Sequence, residues 1–208
     1  KSTLLNRLTR SEVLAEDKLF ATLDTTTRAL TLPSGQKVLV SDTVGFIQNL
    51  PHSLIEAFSS TLEEALNSDA VIIVADASHP DCVKCFDTTM ETLSTLGVRD
   101  KVKLVVINKV DSIYDDISYS YLKSQGIETV ETSMKTGEGL DNLLFAMERI
   151  TDEVFETISL RLPYSSPILS ELSRKEEIQD IKYEDYSILV KARVRKSEKK
   201  RYEEVIED

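Results

Sequence analysis

Asn108-Lys109-Val110-Asp111 is the tetrapeptide whose side chains most directly define a chemistry, and it follows an apolar run from Val102 to Ile107. A carboxylate at Asp111 accepts hydrogen bonds from the ring N–H and exocyclic amine of a guanine, a donor pattern that adenine does not offer. The aliphatic stem of Lys109 can lie along a base plane, and the Asn108 amide can tie neighbouring loops together. Alone, such a tetrapeptide is common and reads better as a solvated turn after a strand.

Three further stretches stand in a fixed order around it. Lys1-Ser2-Thr3-Leu4-Leu5-Asn6-Arg7-Leu8 matches the end of the phosphate-binding pattern G-x-x-x-x-G-K-[ST] running into its helix. There Lys1 would reach the terminal phosphates and the Ser2 hydroxyl would ligate magnesium. The glycine-rich half of the pattern is not within these residues, so the sequence is expected to be part of a longer chain. A protein beginning at Lys1 is expected to bind nucleotide poorly, because backbone amides of the glycine-rich half supply much of the phosphate cradle. Val38-Leu39-Val40 then leads into Asp42-Thr43-Val44-Gly45, a strand ending in D-x-x-G. Such an Asp holds magnesium through water, and such a Gly brings its amide against the terminal phosphate. After the apolar stretch Ile127 to Val130, Thr132, Ser133 and Met134 stand where backbone amides would contact a guanine carbonyl. Alone, Lys1-Ser2-Thr3 carries no meaning and Asp42 to Gly45 reads as a strand followed by a turn, but the order of all four is that of a P-loop GTPase.

With these residues in place, the chain resembles the HflX GTPases of the translation-factor-related P-loop class. The resemblance is carried by Phe20-Ala21-Thr22-Leu23-Asp24, Thr26-Thr27-Arg28, Asp42-Thr43-Val44-Gly45-Phe46-Ile47 and Leu50-Pro51-His52, and covers residues 1 to about 155. It implies that Phe20 to Asp24 form the first switch and that Thr22 completes the magnesium shell when triphosphate is bound. The catalytic set is then Lys1, Thr22 and Gly45, with GTP and GDP as substrate and product and Mg2+ as cofactor. The resemblance also implies association with the large ribosomal subunit and its RNA, and a part in splitting or rescuing ribosomes. Thr25 stands where the family usually carries Pro, which leaves that loop less stiff. An Obg- or Era-like ribosome-associated GTPase shares the core motifs, and a noncatalytic ribosome-binding module is the alternative from another class.

The reaction to expect is hydrolysis of the terminal phosphoanhydride, in which protein groups position and neutralise charge. Ras-like proteins orient water with a glutamine just after the D-x-x-G glycine, whereas this chain has Phe46. Turnover is therefore expected to be slow alone and stimulated by a partner, as in a switch whose segments order around a third phosphate.

The 208 residues carry a net charge of -11, which disfavours indiscriminate binding to nucleic acid. No stretch is apolar enough to span a membrane. The two cysteines, Cys82 and Cys85, follow Asp81, a candidate helix cap; with only His52 and His79 to supply imidazoles, structural cysteines are favoured over a zinc site. Sparse cysteine fits a cytoplasmic protein, or an organelle interior, and a monomer is expected.

Strand-like runs at Val38 to Val40, Ala70 to Ala75, Val102 to Ile107 and Glu128 to Val130 alternate with helical stripes. The stripes are Leu54, Phe58 and Leu62; Val83, Phe86, Met90 and Leu93; and Leu140, Leu143, Leu144, Met147 and Ile150. The fold class expected is α/β, a three-layer P-loop GTPase sandwich with a mostly parallel sheet over 1–155, followed by a small α+β domain over 156–208. That second domain is expected to run βαββα. Its last strand alternates Ile188, Val190, Ala192 and Val194 with Lys191, Arg193 and Arg195, joined by Lys196, Lys199, Lys200 and Arg201. These basic residues form either a solvated face or an RNA contact.

Overall fold

A computed structural model of the chain describes residues 1–9, 26–42, 63–175 and 177–206. The chain divides into two compact units, Lys1–Glu148 and Arg149–Asp208.

The first unit is organised by a parallel three-stranded sheet, β3 (Val71–Asp76), β4 (Val102–Asn108) and β5 (Glu128–Thr132), in the order β3-β4-β5. Leu104, Val105, Val106 and Ile107 of the central strand are all 0% exposed. A strand covered on both faces needs such a continuous apolar run, with no alternation. Parallel neighbours require crossovers. The helix α2 (Cys82–Thr95) makes the first, burying Cys82, Phe86 and Leu93. The helix α3 (Asp116–Lys123) makes the second; it buries Leu122, and the Asp115 side chain caps it by accepting from the Ser118 amide at 2.7 Å. These side chains join Ile73, Val105 and Ile107 in one core. The helix α4 (Leu140–Val154) buries Leu143, Ala146, Met147 and Ile150, the face expected from its spacing.

Before this sheet lie α1 (Ser2–Leu8) and an antiparallel pair, β1 (Thr26–Thr31) and β2 (Lys37–Asp42). Arg28 of β1 donates to Asn6 of α1 at 2.6 Å, which fastens helix to strand. Neither β1 nor α3 stands out by periodicity. Asp81 occupies the N-cap position of α2, but its side chain makes no capping bond; its amide donates to His79 Nδ1 instead.

The second unit contains β6 (Phe155–Leu162), α5 (Pro167–Arg174), β7 (Ile178–Tyr183) and β8 (Ile188–Arg195), with antiparallel strand order β6-β8-β7. Ile188, Val190, Ala192 and Val194 face its core with Ile158, Leu160, Leu162, Leu172 and Tyr202. The last element is a 3-10 stretch, Lys196–Val205, where an α-helix was expected. Within this unit Arg193 of β8 donates to Asp152 at 2.6 Å and to Thr151 at 3.4 Å.

Candidate functional site

Asp42, Asp76, Asn108 and Thr132 are the last residues of β2, β3, β4 and β5. Asp76 is in register with Asn108, and Asn108 with Thr132. Polar side chains at the carboxyl ends of parallel strands face the crevice where α/β folds bind ligands.

At one end of the site, Ser2 Oγ donates to Asp42 Oδ2 at 2.7 Å and Lys1 Nζ lies 3.9 Å from Asp42 Oδ1. Asp42 is 8% exposed. Burial lowers the pKa of Lys1, and Asp42 works against it. A hydroxyl and a carboxylate oxygen brought this close are the hard-oxygen donors that suit a magnesium ion, which keeps much of its shell for water and phosphate. No group of three or more His, Cys, Asp or Glu side chains assembles among the described residues.

At the other end, Thr132 Oγ1 donates to Asn108 Oδ1 at 3.1 Å, and the Ala77 amide donates to the Asn108 carbonyl at 2.9 Å. Asn108 thus ties three loops. Ser133 Oγ donates to Asp111 Oδ1 at 2.6 Å, and Lys135 Nζ stands 3.7 Å from Asp111 Oδ2. The Ser133 hydroxyl, with Lys135 also contributing, holds the Asp111 carboxyl below its ordinary pKa. The carboxylate is therefore charged and oriented as an acceptor. Val110 opens a 3-10 turn, Val110–Ser112. Met134 is buried at 8% exposure.

The two ends adjoin. The backbone nitrogen of Lys1 lies within electrostatic reach of Asp42, Lys109 and Asp76. Lys1, Ser2 and Asp42 thus form one cluster, and Asn108, Lys109, Val110, Asp111, Thr132, Ser133 and Met134 another beside it. Phe20, Ala21, Thr22, Leu23, Asp24, Thr43, Val44 and Gly45 lie outside the described residues, as do Phe46 and the stripe Leu54, Phe58, Leu62.

The sequence places Asp76 to Pro80 at the carboxyl edge of the sheet, where loops bind ligands in such folds, but assigns no individual role to Asp76 or Ser78. Asp76 Oδ2 pairs with Lys109 Nζ at 2.8 Å, and Ser78 donates to Asp76 Oδ1 through its hydroxyl at 2.6 Å and its amide at 3.0 Å. The signal available was the Asp at the end of an apolar strand. The loop after β5 also depends on Gly139, at φ +76, where an added Cβ would lie 1.8 Å from the Glu131 carbonyl oxygen. Gly139→Ala is expected to cost about 2 kcal/mol or more through forced backbone displacement, read as a lower urea midpoint. An unchanged midpoint would show that the loop yields.

The basic residues of the second unit are largely paired. Arg193 meets Asp152 at 2.6 Å, Lys199 meets Glu156 at 2.9 Å, and Arg201 meets Glu171 at 3.1 Å. Among the described residues no ion pair holds Lys191, Lys196 or Lys200, all of them exposed. Cys82 and Cys85 are unbridged, and burial pushes both thiols up, away from reactivity.

A parallel sheet with crossover helices and polar residues at the carboxyl ends of its strands is the arrangement of a P-loop GTPase fold. A family model described as 50S ribosome-binding GTPase matches residues 1–109. GTPase HflX of Lacrimispora saccharolytica is 53% identical over 150 residues, covering 72% of this chain and 35% of that protein. GTPase HflX of Akkermansia muciniphila is 40% identical over 203 residues, covering 92% of this chain and 45% of that protein. Among solved structures, a crystal structure of an SsGBP mutation variant is similar with a TM-score of 0.56 at 26% identity, covering 72% of this chain and 50% of that one. The chain belongs to the HflX family of 50S ribosome-binding GTPases. It spans less than half the length of these curated relatives.

Proposed function

We propose that the protein containing this chain binds guanine nucleotide, hydrolyses GTP with magnesium, and acts as a switch at the large ribosomal subunit, where it splits or rescues ribosomes. The observation that carries the nucleotide assignment is the Asp111 carboxylate, charged and oriented by Ser133 at 2.6 Å, beside an Asn108 that braces its loops. The ribosomal part is supported by the description of the matching family. In this reading Lys1 meets the terminal phosphates, and Ser2 and Asp42 hold the metal, Asp42 through water. Thr22 and Gly45 are the proposed remaining groups around the terminal phosphate. Magnesium, when bound, would neutralise charge between the outer phosphates. No helix among the described residues is long and apolar enough to cross a membrane. From its resemblance to the bacterial HflX proteins we place the protein in the cytoplasm, as a monomer.

Turnover of GTP and ATP by the full-length protein, with and without magnesium, tests this assignment. Ser2→Ala should lower magnesium-dependent GTP hydrolysis roughly tenfold or more, by analogy with the loss of a group that organises a metal site. Equal turnover of ATP and GTP, or a Ser2→Ala variant as active as the parent at limiting magnesium, would sink it.

A further inference from the structure

Asp76 ends β3 in register with Asn108, which places its carboxylate beside the residue that follows Asn108 in the chain. One carboxylate oxygen takes the Lys109 ammonium at 2.8 Å; the other takes both the hydroxyl and the amide of Ser78. The carboxylate cannot swing away without losing the two Ser78 bonds. Burial raises the Asp76 pKa, but Lys109 and the Ser78 bonds outweigh it and hold the group ionised. Lys109 is also the one non-glycine residue with positive φ among the described residues, at φ 65. Its backbone is held in a sparsely populated conformation while its tip is tethered, so the four-carbon stem between them has few rotamers left.

We infer, on the strength of the guanine-nucleotide reading above, that Asp76 is a positioning residue for base recognition: by gripping the Lys109 ammonium it holds the Lys109 stem as a fixed apolar ledge beside Asn108 and Asp111. The pair is about half exposed, 47% and 41% for its two side chains, so it adds little to folding. Its effect lies in ordering a rotamer-rich side chain before the ligand arrives. An untethered lysine must be ordered during binding, which weakens affinity by roughly twofold to tenfold. In this role the carboxylate acts through the lysine, which separates it from Asp111.

The test measures labelled GDP binding by the full-length protein and its Asp76→Asn, Lys109→Met and doubly substituted forms. Asp76→Asn should weaken GDP binding about fivefold. In the Lys109→Met background, where there is no ammonium to grip, the same change should cost almost nothing. Ser78→Ala, which loosens the carboxylate without removing it, should fall between parent and Asp76→Asn, and it carries the same comparison should Asp76→Asn fail to fold. Unaltered binding by Asp76→Asn, or an equal loss in the Lys109→Met background, would overturn the positioning role and leave the guanine assignment intact. A parent protein with no preference for GDP over ADP would overturn that assignment and this role with it.

Discussion

Asp111→Asn lowers affinity for GDP by about a hundredfold or more and raises affinity for xanthosine diphosphate. In the proposed reading the Asp111 carboxylate accepts two hydrogen bonds from guanine, and bonds to a charged group are each worth about 1.5–3 kcal/mol. Losing both, even partly compensated by the remaining amide oxygen, amounts to about 3 kcal/mol or more, at about 1.4 kcal/mol per factor of ten. The surroundings decide how the new amide sits. Ser133 Oγ donates at 2.6 Å to Asp111 Oδ1, so the asparagine oxygen takes that place and its NH2 turns toward the base. An NH2 there opposes the guanine amine but complements the carbonyl that xanthine carries at the same position. Parallel titrations of parent and variant with the two diphosphates give the answer. An Asp111→Asn variant with unchanged GDP affinity would remove Asp111 from the base site.

The elements that carry this specificity were legible for a physical reason. The run Val102 to Ile107 is apolar without alternation because β4 is covered on both faces, and the motif Asn108 to Asp111 follows it directly. The alternation in β8 was equally plain, since one of its faces packs on a core and the other does not. By contrast, β1 reads Thr-Thr-Arg-Ala-Leu-Thr, with Leu30 as its buried large apolar side chain, and shows no stripe. The helix α3 buries Leu122 alone, which is too little for a helical period. The link between Asp76 and Lys109 was invisible because it is set by the register of two strands joined through a long crossover. The same holds for the basic residues of the second unit. Their spacing pointed to an open cationic face, but Asp152, Glu156 and Glu171, on neighbouring elements, neutralise Arg193, Lys199 and Arg201.

That pairing changes which residues should be altered to test the ribosomal role. Phe46 offers no polar group to attacking water, so hydrolysis by the free full-length protein should be slow. Purified large subunits should accelerate it by about a hundredfold or more, within the range in which a partner that completes a GTPase site acts. Rapid hydrolysis alone, with no response to subunits, would contradict both the Phe46 argument and the ribosomal assignment. Charge reversal at Lys199 or Arg201 would set a new carboxylate against Glu156 or Glu171 and confound folding with binding. Lys191, Lys196 and Lys200 are exposed and outside these pairs. Lys191→Glu, Lys196→Glu and Lys200→Glu together should therefore leave intrinsic turnover alone. If this face meets ribosomal RNA, they should raise the subunit concentration needed for half-stimulation several-fold and flatten its salt dependence, because each lost phosphate contact removes released counterions. A stimulation curve identical to the parent's across salt concentrations would mark the three lysines as solvated surface, and the contact with the subunit would then have to be made elsewhere in the protein.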